Sequence, residues 1–170
     1  GTQSVTVTIT ENESAPTVTL ATSASSIAEN SSTTVTLTAT SSVAASSDIT
    51  VTLATTGTAT DGTDYSAVEG TTITISADAT TGTKTFTITD DSVYEGDETV
   101  IVAISSVTNA TESGTQSVTT TITENESSPT VQISSSAASV YDNGSSLTIT
   151  ATSSQEADEA ITVVIGTSGT

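Results

Sequence analysis

The chain has 170 residues, 33% of them hydrophobic, and carries 20 acidic residues against one basic residue, Lys84, for a formal charge of −19. Nucleic acid and anionic membrane surfaces repel such a chain, whereas divalent cations do not, and a surface rich in carboxylates and carbonyls suits Ca²⁺. The absence of His, Cys, Met and Trp removes disulfides, the common transition-metal ligands and the usual His- or Cys-based nucleophile pairs, and no run reaches the roughly 18 apolar residues of a membrane span.

The chain opens on Gly1–Ser14, GTQSVTVTITENES, an alternating stretch that reads as a strand ending in acidic residues. Seven further strands are predicted at Thr17–Thr22, Thr33–Thr40, Asp48–Thr55, Thr71–Ser76, Thr83–Thr89, Glu98–Ser105 and Thr115–Thr123, each with period-two alternation and none with a helical period. The alternation turns Val18, Leu20, Val35, Leu37, Ile49, Val51, Leu53, Ile73 and Ile75 inward. Phe86, Ile88, Val100, Val102, Ile104, Val118 and Ile122 follow the same rule. Thr fills most outward positions, where a β-branched polar side chain suits a solvated strand face. Seven short strands in about 110 residues predict an all-β, immunoglobulin-like sandwich of two sheets.

Beyond Thr123 the sequence repeats itself. Gly114–Ser127, GTQSVTTTITENES, differs from Gly1–Ser14 only at Thr120 against Val7. The match continues from Ala15–Leu20 to Ser128–Ile133 and from Ser26–Asn30 to Ser139–Asn143. After the loss of one residue it resumes from Thr36–Ser42 to Thr148–Ser154. Three units are expected: 1–14, the last strand of a preceding repeat; 15–127, a complete repeat; and 128–170, about three opening strands of a following repeat. A spacing of 113 residues exceeds solenoid periods, so each complete repeat should hold its own core. Pro16 and Pro129 follow the acidic ENES stretches, where each blocks continuous strand pairing and stiffens the junction. The lack of an initiating Met and of a signal peptide reads as an internal segment.

Asp90, Asp91, Glu95, Asp97 and Glu98 crowd within nine residues, and their repulsion opposes a compact loop unless cations screen it. Catalysis has little to build on: no His or Cys base is present, and aromatic residues, the usual sugar platforms, make up 2% of the chain. No enzyme activity is expected. Asn12, Asn30, Asn109, Asn125 and Asn143 all match the N-glycosylation pattern, which arises easily by chance in a chain this rich in Ser and Thr. Thr-x-Thr runs such as Thr6–Thr8 are read as ordinary outward strand residues.

Three segments carry a resemblance to a known family: GTATDGTDYSAVEGTTITIS from Gly57, TKTFTITDDSVYEGDETVIVAIS from Thr83, and TTTITENES from Thr119. Together, in this order, they resemble the Calx-beta domain of sodium–calcium exchangers and of large bacterial surface adhesins. The resemblance implies a sandwich that binds calcium at one end. By position, it assigns the ligands to Glu29, Asp64 in GTDY, Asp90, Asp91 and Glu95 before the sixth strand, and Glu124, Asn125 and Glu126 after the seventh. Exchanger-type domains often carry three consecutive Asp in both acidic loops; here Ser92 ends the first run and Glu-Asn-Glu replaces the second. The expected role is an extracellular, cell-surface spacer that projects a distal region and is stiffened by calcium at one pole and at the junction between repeats. The alternatives are an adhesive module contacting a glycan, ice or another cell, and a subunit of a laterally assembled filament. The expected partners are neighbouring repeats of the same chain, with lateral self-association a further possibility, and neither nucleic acid nor membrane insertion is expected.

Overall fold

The computed structural model describes residues 1–8, 10, 12–68 and 70–169. Eleven strands are formed among them: β1 (Thr17–Thr22), β2 (Ser26–Ala28), β3 (Thr34–Ser41), β4 (Ile49–Gly57), β5 (Thr72–Ile75), β6 (Thr81–Thr87), β7 (Glu98–Thr108), β8 (Thr111–Glu112), β9 (Ser117–Thr123), β10 (Val131–Ser135) and β11 (Ile149–Ser153). A single 3₁₀ turn, Glu29–Ser31, follows β2. No helix among the described residues is long and apolar enough to cross a membrane.

Strands β1 to β9 form two sheets, ordered β6-β3-β1-β8 and β2-β9-β7-β4-β5. The pairings are antiparallel except β1 with β8 and β2 with β9, which run parallel. The chain thus forms the all-β sandwich of two sheets that its alternation predicts. The alternating aliphatics meet between the sheets. Val18, Val35, Leu37, Val51, Ile73 and Ile75 are fully buried, and Phe86 crosses Tyr65 edge to face at 5.7 Å. Burial of this kind contributes roughly 1.5–3 kcal/mol for each large aliphatic side chain. Every inward residue expected from the alternation is buried except Val118, which is partly covered. Ala39, Tyr65 and Val68 join the core as well. Gly57 closes β4 at φ +130°, and a Cβ there would collide with the Thr99 carbonyl of β7, so only glycine fits this end of the strand.

The expected strand in Gly1–Ser14 is not formed at the described positions, where Val5 and Val7 stand exposed. A strand needs a partner strand to satisfy its backbone, and among the described residues no strand pairs with this segment. Among the described residues of 128–170 two strands form, where about three are expected. The β10–β11 pair repeats the β1–β3 pair residue for residue. Val18↔Ser41, Leu20↔Ala39 and Thr22↔Leu37 become Val131↔Ser153, Ile133↔Ala151 and Ser135↔Ile149. The flanking bonds repeat too. Ser42 N–H donates to Thr17 O at 2.8 Å and Ser154 N–H to Thr130 O at 2.9 Å; Ser23 N–H donates to Thr36 O and Ser136 N–H to Thr148 O, both at 2.9 Å. All ten residues of β10 and β11 are exposed, whereas β1 and β3 alternate between buried and exposed.

Candidate metal centre

The carboxylates converge at one pole of the sandwich because strand pairing places them there. The parallel β2–β9 register ends at Ala28↔Thr123, so Glu29 and Glu124 leave their strands side by side. Glu98 opens β7 opposite Ile122. It shares the inward parity of Val100 and Val102, so it lies at the rim of the core. Asp64 sits in a turn tied down on both sides: its carboxylate accepts the Thr60 N–H at 2.5 Å, and its backbone carbonyl accepts the Thr89 N–H at 2.9 Å. The second bond brings the GTDY turn against the start of the Asp90–Asp97 loop. Within that loop Asp91 Oδ1 accepts the Val93 N–H at 2.7 Å, a local turn of the kind Asp favours.

Three groups of carboxylates result: Glu29 with Glu124 and Glu126; Glu29 with Asp91 and Glu95; and Asp64 with Glu95 and Glu98. Within each group the ligand atoms lie within 4.8 Å of one another. Glu29 belongs to two groups and Glu95 to two, so the three form one connected set. At such separations two negative charges repel by about 4 kcal/mol at an effective dielectric constant near 20. Glu29 and Asp64 are also buried, with 5% and 6% of their surface exposed.

The carboxyl groups respond as desolvated, mutually repelling acids should. Burial, then the Glu124 charge, pushes Glu29 up to about 7. Burial and the charges of Asp64 and Asp91 push Glu95 up to about 7. Burial and the hydrogen bond and charge of Asp64 push Glu98 up to about 8. Glu124 moves the other way. Burial alone would raise it, but its oxygens accept the backbone N–H groups of Glu126 (2.9 Å), Glu95 (2.6 Å) and Gly96 (2.8 Å), and these hold it at about 2, while the Asn125 N–H donates to it as well at 2.8 Å. It therefore stays ionised and ties the Glu95–Gly96 loop to the end of β9. Glu126 is raised by its hydrogen bond to Glu124 and by burial, and its Oε2 is shut from solvent with no hydrogen-bond partner. The donor set is all oxygen, crowded and partly desolvated, with one orphaned carboxylate oxygen. That chemistry fits a hard divalent cation such as Ca²⁺.

A model of the Calx-beta domain matches residues 11–128. The chain belongs to the Calx-beta domain family. Among solved structures it is similar to the apo form of the Calx CBD1 domain, at 18% identity and a TM-score of 0.51, covering 64% of this chain and 98% of that one. It is also similar to CBD12 from CALX1.2, at 21% identity and a TM-score of 0.44, where it spans 40% of that chain and the match covers 57% of this one. No curated protein sequence matches it.

Within this Calx-beta domain, the structure brings together six of the residues singled out by sequence: Glu29, Asp64, Asp91, Glu95, Glu124 and Glu126. Two stand apart. Asp90 is exposed and belongs to none of the three groups, although its charge reaches Glu126. Asn125 is exposed and donates its amide to Glu126 Oε1 at 2.9 Å, so it orients a ligand candidate from outside. Sequence reading left out Glu98, whose signal was its parity with Val100 and Val102. At the leading copy of the acidic stretch, Glu11 lies outside the described residues.

Proposed function

We propose that this Calx-beta domain binds calcium at its acidic pole and serves as a non-catalytic spacer repeat of an extracellular, cell-surface protein, stiffened by the ion where one repeat meets the next. The observation that carries the reading is the position of the connected carboxylates. Glu124 and Glu126 end the last strand of the sandwich and lead directly into Pro129 and β10. Glu29, Asp64, Asp91, Glu95, Glu98, Glu124 and Glu126 would hold the cation, which supplies positive charge where the fold has concentrated negative charge. The domain boundaries 1–14, 15–127 and 128–170 belong to this reading, and the matched β1–β3 and β10–β11 registers support them. The role is mechanical. A strand terminus pinned to the Glu95–Gly96 loop fixes the direction in which the chain leaves, whereas a free run of carboxylates is extended and mobile.

The test is a thermal melt of the chain in calcium and in chelator, with magnesium as a control. Extracellular calcium modules have dissociation constants of about 10⁻⁴–10⁻³ M, and a ligand at 100 times that value stabilises the native state by about 2.7 kcal/mol. The melting temperature should rise with calcium concentration, and the Asp91→Asn, Glu95→Gln double variant should lose most of the rise. Identical melts in calcium and chelator would rule the reading out.

A further inference from the structure

The acidic pole of the sandwich already grips the chain segment beyond β11. Tyr94 and Ala157 form a parallel backbone bridge: the Tyr94 N–H donates to Glu156 O at 3.2 Å, and the Asp158 N–H donates to Tyr94 O at 3.1 Å. Beside them Gln155 Nε2 donates to Ser127 O at 2.6 Å. The tip Val93–Gly96 is thus clasped by the turn after β11.

The same turn exists one repeat earlier, where the Ala45 carbonyl accepts the Asp78 N–H at 2.8 Å but, among the described residues, no backbone bridge like that of Ala157 forms at Ala45. The 112-residue offset that maps β3 onto β11 maps Ala44, Ala45 and Ser46 onto Glu156, Ala157 and Asp158, and the 113-residue offset maps Ser14 onto Ser127. Ala44 O and Ser46 N–H are the counterparts of the two backbone groups that grip Tyr94. Among the described residues neither makes a hydrogen bond, and both residues are exposed. Around them lies an open cavity of about 860 Å³, lined by Glu13, Ser14, Pro16, Val43, Ala45 and Asn109, at the end of the sandwich opposite the Glu29–Asp64–Glu124 pole. Val43, the counterpart of Gln155, is 50% exposed beside it.

We propose that this groove is the seat for the tip loop of a preceding copy of the same unit, the counterpart of Val93–Gly96, joined to it through Gly1–Ser14. The inference rests on the end-to-end arrangement proposed above but not on calcium. A parallel bridge to Ala45 would pair Ala44 O and Ser46 N–H, and the tyrosine counterpart would sit in the groove. The tether makes the contact intramolecular, so a small interface suffices. The two seats differ in charge: Glu156 and Asp158 flank the downstream bridge, whereas Ala44 and Ser46 flank the upstream one. A carboxylate that does line the upstream groove, Glu13, belongs to the linking segment, as the counterpart of Glu126.

Amide hydrogen exchange tests this without any substitution. In the 170-residue chain, in chelator, the Asp158 amide should be protected and the Ser46 amide should exchange as an exposed turn does. Lengthening the chain at its N-terminus by a copy of its own residues 15–113 completes the preceding unit. The Ser46 amide should then slow by about tenfold or more, as expected for a group that exchanges only when a docked contact opens. An unchanged Ser46 rate would overturn the proposal, as would an Asp158 amide that is unprotected in the 170-residue chain. Ser46 protection in the 170-residue chain that grows with protein concentration would assign the groove to separate chains and also overturn it. A second readout uses the absence of native cysteine. Tyr94→Cys with Ala157→Cys should form a disulfide in the 170-residue chain. Ala45→Cys with cysteine at the tyrosine counterpart of the added copy should do so in the lengthened one. If only the first pair closes, the upstream groove is not a seat. Because both measurements run in chelator, a failure of calcium binding leaves them readable.

Discussion

The β1–β3 and β10–β11 pairs have the same register and the same flanking hydrogen bonds, yet one lies against a core and the other stands in solvent. Leu37 of β3 is fully buried, and its counterpart Ile149 in β11 is 42% exposed. Leu20 and Ile133 differ in the same way, at 8% and 55%. Pairing and register are therefore local properties, set by alternation and by the Ser and Thr side chains that bond across the strand ends. Burial is not local. It arrives only when β2, β4, β5, β7 and β9 close the second sheet over the first. The same holds for the acidic residues: Glu29 is drawn into the pole by the β2–β9 pairing, while its counterpart Asp142, with no such partner, is exposed.

The largest expected difference between the two regions is in packing. Leu37→Ala should destabilise the folded chain by about 2–5 kcal/mol through lost burial and a cavity, whereas Ile149→Ala should stay within about 1 kcal/mol. Urea denaturation of both variants measures this, and equal losses would mean that β10–β11 is buried in solution. Calcium affinity sharpens the comparison next. Glu29→Gln should weaken binding by about tenfold, or about 1.4 kcal/mol, and Asp142→Asn by less than about twofold. Competition with a chelating dye reads both, and equal effects would move the site out of the sandwich.

A smaller effect concerns pH. Glu29, Glu95 and Glu98 are held at about 7, about 7 and about 8 in the fold, against 4.5 for an unperturbed glutamate. The folded state therefore binds more protons than the unfolded state across this range, and stability falls as pH rises from about 4.5 to about 8. Glu124, held at about 2, acts in the opposite sense: its contribution is complete above about 4.5 and is lost as pH falls toward 2. In chelator the denaturation midpoint should decline from pH 4.5 to 8, and saturating calcium should flatten that decline. A midpoint that rises with pH in chelator would contradict the assignment of these shifts to the sandwich pole.

Much of this was legible in the sequence, for reasons that particular residues show. Alternation placed the core of β1, β3, β4, β5, β6 and β7, because a half-buried strand needs no distant information to choose its inward face. It could not find β2 or β8. These are short strands held parallel to β9 and β1 from far along the chain. Nor could it find Tyr65 and Val68, which enter the core from an irregular segment. The acidic pole was legible as a composition and as a family pattern, but the choice of ligand candidates depended on side-chain direction. Glu98 points inward with its strand, whereas Asp90, next to the cluster member Asp91, joins none of the three clusters.

Calorimetric titration of calcium into the chain near pH 7 shows most directly whether the connected carboxylates of the Calx-beta pole bind the ion. Saturable binding accompanied by proton release is expected, seen as a heat that changes with the ionisation enthalpy of the buffer. Glu29, Glu95 and Glu98 are partly protonated at that pH and must lose protons to hold a cation. Absence of binding up to about 10 mM calcium, ten times the weak end of the extracellular range, would contradict this expectation. So would a titration unchanged by the combined Glu29→Gln and Glu95→Gln substitutions.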